Sequence, residues 1–146
     1  TSADVDIDPQ AIAAIIDQLS AEHADLLPRM ARLGQLAAAK SPDLLGQIEQ
    51  CADHLQAPLE AHIEQEDDVL FPAYIERTGE DGVVALFVEE HRDILALRDQ
   101  LLAAAREGAD QARLRELAAR LADLLASHMN REDMMLFPSA RQALCG

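Results

Sequence analysis

The chain has 146 residues and a formal net charge of −15, with 27 acidic residues against 12 basic ones. That surplus argues against a surface made to hold nucleic-acid phosphates or an anionic membrane, and its plainest consequence is a well-solvated exterior. Aromatics make up only 3% of a composition that is 49% hydrophobic, with no Trp and few Gly or Pro; this favours helices over sheet, and the length allows a core that needs no disulfide or metal staple.

No apolar stretch reaches membrane-spanning length, and the opening TSADVDIDP lacks the basic and apolar parts of a secretory leader, so a cytoplasmic chain is expected. Asp8 followed by Pro9 is a helix start: a capping side chain, then a proline where its missing N–H costs nothing. Ile12, Ile15, Ile16, Leu19, Leu26, Leu27, Met30 and Leu33 recur at helical spacing, and His23 sits inside that apolar stripe. Pro28 is expected to kink this helix, not end it, because the periodicity resumes through Leu36.

Ser41-Pro42 repeats the start signal for a second helix carrying Leu55, Leu59, His62, Glu66, Val69 and Leu70 on one face. Pro58, one turn before His62, is either a tolerated kink or a means of aiming that histidine. Pro72 is expected to end the bundle-length part, and Ala73 to Gly82 (AYIERTGEDG) reads as a connector with turn chemistry in Gly79, Asp81 and Gly82.

A third helix is predicted from about Val83 to Arg106, with Val84, Phe87, Val88, His91, Ile94, Leu95, Leu101 and Leu102 inward, stopped by Glu107-Gly108. The fourth runs from near Asp110 to Leu144, its buried stripe being Leu114, Leu117, Leu121, Leu124, Leu125, His128, Glu132, Met135 and Leu136. Met129 and Met134 read as packing residues. Cys51 and Cys145 fall at opposite ends of such a bundle and are not expected to pair.

Two stretches tie these elements together. HIEQEDDVLFP (62–72) returns as HMNREDMMLFP (128–138), identical at six of eleven positions, and Glu-His-x-Asp occurs around both His23 and His91. Each half of the chain thus offers two histidines and one glutamate. A duplicated helical hairpin follows: an all-α, up-down-up-down antiparallel four-helix bundle with pseudo-two-fold symmetry. It would be a single domain over 1–146, with hairpins at about 9–72 and about 83–144.

Helix rise tests whether the histidines can meet. About 17 residues separate His23 from the first turn and about 21 separate that turn from His62, so at about 1.5 Å per residue the two come within a turn of one level. His91 and His128 bracket their turn similarly, and the short path from His62 through the connector to His91 also matches. In each H-x3-E pair the imidazole and carboxylate share one helix face. Such a set suits two borderline N/O metals, with two histidines each, Glu66 and Glu132 bridging, and room for an oxo or hydroxo bridge and a small exogenous molecule. Iron would bring redox chemistry; zinc would not. His54, two turns from His62 and about 80° off the ligand face, reads as a surface or tunnel residue.

These residues resemble the hemerythrin-like family, in its branch with an HHE-type cation-binding domain, where H, H-x3-E, H and H-x3-E follow in that order. The resemblance implies two irons per chain: His23 and His62 on one, His91 and His128 on the other, Glu66 and Glu132 between them. The family's oxygen carriers have a fifth histidine one turn from the third-helix histidine, where this chain has Phe87 and Leu95. An open position is implied there, for peroxide or nitric oxide, or for water or a carboxylate such as Glu22 or Glu90. The family implies three readings: a binder or sensor of O₂ at a pocket lined by Phe87 and Leu95; an enzyme decomposing peroxide or handling nitric oxide; or an iron-dependent regulatory module. In each a monomer or dimer is expected, and the charge and hydropathy above leave neither nucleic acid nor membrane as partner.

Overall fold

The computed structural model describes residues 8–39 and 43–146. Helix α1 (Pro9–Ala38) begins as expected: the Asp8 carboxylate accepts the Gln10 backbone N–H at 3.2 Å, with Pro9 at the first helical position. It stays one helix through Pro28, because Leu19, Leu26, Met30 and Leu33 on either side are anchored by near-complete burial. The Ser41-Pro42 start signal lies outside the described residues.

Helix α2 (Leu44–Gln65) does not end at Pro72. It passes through one π-helical turn (Glu66–Leu70) into α3 (Phe71–Thr78), so the connector expected over 73–82 shrinks to Gly79 and Glu80. In the π turn the Phe71 N–H reaches back five residues to the Glu66 carbonyl, and this wider backbone relieves the clash that a proline ring makes with the preceding turn. Gly79 then closes α3 at φ 72°, the left-handed conformation that favours glycine.

The second half repeats this plan. Helix α4 (Asp81–Arg106) stops at Gly108, φ 74°; α5 (Gln111–Arg131) is capped by Asp110, which accepts the Arg113 N–H at 2.8 Å; a second π turn (Glu132–Leu136) leads into α6 (Phe137–Cys145). The four rods form an antiparallel bundle in which α1 and α4 each pack between α2 and α5, while α3 and α6 pack together at one end. Among the described residues no helix is long and apolar enough to cross a membrane.

Two apolar clusters fill the interior. The larger holds Leu26, Met30, Leu33, Leu55, Leu59, Ile63, Ile94, Leu101, Leu121, Leu125 and Met129 among others. The smaller, toward α3 and α6, holds Ile12, Ile16, Leu19, Leu70, Phe71, Tyr74, Phe87, Leu136 and Phe137. Two side chains expected on the buried stripes are exposed, Leu27 at 38% and Met135 at 64%, and so is Met134, read as a packing residue, at 70%. For Met135 the cause is the second π turn, whose extra residue rotates it off the α-helical register that would have carried it inward with His128. Both cysteines are free thiols, Cys51 at the α1–α2 seam near the Arg29 carbonyl and Cys145 near the Pro9 carbonyl.

Candidate metal centre

Between the two apolar clusters lies a polar layer. His23 from α1, His62 from α2, His91 from α4 and His128 from α5 enter it, and Glu66 and Glu132 enter from the first residues of the two π turns; none exceeds 3% exposure. All six residues proposed from the repeat therefore meet. They form two overlapping groups, His23/His62/Glu66/Glu132 and Glu66/His91/His128/Glu132, each with ligand atoms within 4.8 Å of one another.

Each glutamate faces both histidine pairs. Glu66 sets Oε2 at 3.4 Å from His62 Nε2 and Oε1 at 2.9 Å from His91 Nε2. Glu132 sets Oε1 at 3.0 Å from His23 Nε2 and Oε2 at 3.2 Å from His128 Nε2. Despite these short approaches, all four glutamate oxygens and the Nε2 atoms of His91 and His128 have no hydrogen bond of acceptable geometry. Buried polar atoms without partners are rare and costly. Six of them converging from one chemically borderline N/O donor set fit a pair of divalent cations.

The outer side of every imidazole is occupied as well. Nδ1–H of His62 donates to Glu22 at 2.7 Å, that of His128 to Glu90 at 2.7 Å, that of His91 to Asp67 at 2.9 Å and that of His23 to Asp133 at 2.9 Å. The arrangement is cyclic: each histidine is held by a carboxylate from a neighbouring rod. With the proton held at Nδ1, each Nε2 lone pair points inward, and His23 Nε2 and His62 Nε2 lie 2.9 Å apart with no proton between them in that tautomer. Facing lone pairs repel, and a cation between them removes the repulsion. Glu22 and Glu90, weighed above as occupants of an open coordination position, are committed instead to the outer face of the histidines. The sequence held a signal for this role, since Asp67/Asp133 are identities of the repeat and Glu22/Glu90 precede the paired histidines.

Electrostatics without a cation point the same way. Burial alone would lower the His62 pKa, but Glu132, Glu66 and Glu22 outweigh it and push it up to about 10; His91 is likewise carried against burial to about 9, by Asp67 and Glu66. Glu66 is raised by burial and by the Glu132 charge, whereas burial of Glu132 is overcome by His128, His23 and His62, which hold it well below the usual carboxylate range. The buried carboxylates thus draw protons onto His62 and His91, a charge-balancing role that a cation can fill.

Rings close the layer. Phe71 stacks on His91 (5.8 Å, 8°) and Phe137 on His23 (5.2 Å, 21°), so the L-F-P ending of each repeat supplies a lid for a histidine of another rod. Phe87 meets His128 edge-on at 5.4 Å and also lines a cavity of about 280 Å³ with Val83, Met135 and Leu136 and the polar Tyr74, Glu80 and Ser139. Leu95 is half-buried against the larger apolar cluster, across the layer from Phe87. His54 is exposed and lines a groove with Arg29, Arg32 and Cys51; Pro58, four residues on, leaves the His54 carbonyl without its helical donor, and Arg29 supplies one at 3.0 Å.

Residues 14–140 match the family model described as the hemerythrin HHE cation binding domain. A comparison with curated proteins gives no match.

Proposed function

The chain belongs to the hemerythrin HHE cation-binding family, and on that footing we propose that it holds two irons and binds or senses O₂ or a related small oxidant. His23 and His62 hold one ion and His91 and His128 the other, with Glu66 and Glu132 shared between them. The observation that carries the reading is the division of each glutamate, one oxygen toward each histidine pair. Paired iron supplies two electrons together to a small diatomic oxidant.

The chain's own residues then do four things. The outer carboxylates fix each imidazole's tautomer and raise its donor strength. Each glutamate would offer one oxygen to the ion of either histidine pair. Phe71, Phe87 and Phe137 keep water from the layer and bring no proton donor to it. Phe87 both lines the adjoining cavity and touches His128, so a small molecule in that cavity would meet the ring that borders the centre. Glu22, Asp67, Glu90 and Asp133 are each committed to a ligand nitrogen, which supports binding as the first reading.

The test is the visible spectrum of protein loaded anaerobically with Fe²⁺, before O₂, with O₂ and after degassing. A charge-transfer band that comes with O₂ and leaves with it is the expected result. A centre that oxidises and does not return on degassing, together with peroxide consumption, would move the assignment to the enzyme reading. Failure to bind about two irons per chain would remove the metal reading altogether.

A further inference from the structure

The two hairpins place equivalent residues around the layer, and among the groups that contact the outer carboxylates they differ by one charge. Glu22 and Glu90 each precede a histidine and accept Nδ1–H of the other histidine in their hairpin, both at 2.7 Å. The second oxygen of Glu22 accepts the neutral amide of Gln18 at 3.0 Å. The second oxygen of Glu90 is ion-paired with the Arg131 guanidinium, which also lies 5.7 Å over the Phe87 ring. Arg131 immediately precedes Glu132; the residue immediately preceding Glu66 is Gln65. The remaining pair of outer carboxylates differs only by a neutral contact, the Ser20 hydroxyl on Asp133 at 3.3 Å.

We propose that Arg131 makes the two metal positions unequal, weakening the one held by His91 and His128 and leaving the one held by His23 and His62 the stronger. A carboxylate on Nδ1–H pushes electron density toward Nε2 and so toward the metal. A guanidinium on that carboxylate draws the density back, and its own charge opposes a dication nearby. Glu22, answered only by an amide, keeps its full charge for His62. The residue acts through Glu90 and His128 without touching the ion, so it is a positioning residue. It supplies the inequality that a symmetric set of four histidines and two glutamates lacks, and an unequal pair fills in order and offers a small ligand one preferred ion.

This inference rests on the metal reading above, and the experiment separates the two. Co²⁺ uptake is measured by titration calorimetry on the metal-free chain in two single-position backgrounds: His62→Ala, which leaves the His91/His128 pair intact, and His128→Ala, which leaves the His23/His62 pair. Arg131→Gln is expected to raise Co²⁺ affinity about tenfold in the first background and to leave it unchanged in the second. Arg131→Lys keeps the charge and the weak affinity. Gln65→Arg installs the mirror charge beside Glu22 and lowers affinity about tenfold in the His128→Ala background alone. Equal responses in both backgrounds, or none, would overturn the proposal while leaving the centre intact. A chain that binds no Co²⁺ in its native form would overturn the metal reading and this one with it.

Discussion

In the larger apolar cluster Leu33, Leu55, Leu101 and Leu121, one from each rod, are fully buried among apolar neighbours. Further along the same four rods His23, His62, Glu66, His91, His128 and Glu132 are buried just as deeply. For the leucines, leaving water is the source of stability, about 25 cal/mol per Å² of apolar surface removed. For the ionisable groups the same burial is a cost, offset only by partners. The difference shows that the layer is not a core with polar members. The apolar clusters carry it, and it waits for a charge from outside the chain.

Changing the pH separates the two regions most strongly. His62 and His91 titrate at about 10 and about 9 in the folded, metal-free chain, against about 6.5 for a free imidazole. Their contribution to stability is fully present below pH 6.5 and disappears as pH rises through 9 to 10. Urea melts of the metal-free protein at pH 6, 8 and 10 should therefore show falling stability. Metal binding displaces those protons, so the extra stability given by added Fe²⁺ or Co²⁺ should grow over the same interval. A flat metal-free profile would contradict the protonated layer.

Chelation is the next largest effect. At free metal about a thousand times its dissociation constant, bound ions stabilise by about 4 kcal/mol, which thermal melts should lose on adding a chelator and regain on adding metal. Leu121→Ala should cost about 3 kcal/mol in loaded and metal-free protein alike, with two ions still bound per chain; ion loss would mean that core and layer are not separable. Glu66→Met has the smallest size: in the metal-free chain it removes a carboxylate that holds protons on His62 and His91, so it should flatten the fall of stability with pH while abolishing two-ion loading.

How much of this was legible can be judged residue by residue. The four-helix fold was, down to the Asp8 and Asp110 starts and the Gly108 stop, because periodicity and caps are local properties. So was the convergence of the six layer residues, because a duplicated H-x3-E fixes side-chain direction within each helix and helix rise fixes level. The outer carboxylates were missed as a set even though their duplication was visible, since Asp133 meets His23 across 110 residues of sequence. The π turns were missed too, and with them the exposure of Met135 and the continuation of α2 into α3. A backbone bond from Phe71 to Glu66 leaves no compositional mark beyond the proline that follows it.

By itself, the sequence determined that four helices form, that two hairpins repeat, and that each repeat turns two imidazoles and one carboxylate toward a common level, since all of that follows from spacing along single helices. Only the tertiary structure decided which oxygen of each glutamate faces which histidine pair, which acid holds which Nδ1–H, and that one of those acids is shared with an arginine. Those choices depend on how far each rod is rotated and staggered against its neighbours. The packing of the whole core sets that rotation, and no single segment contains it.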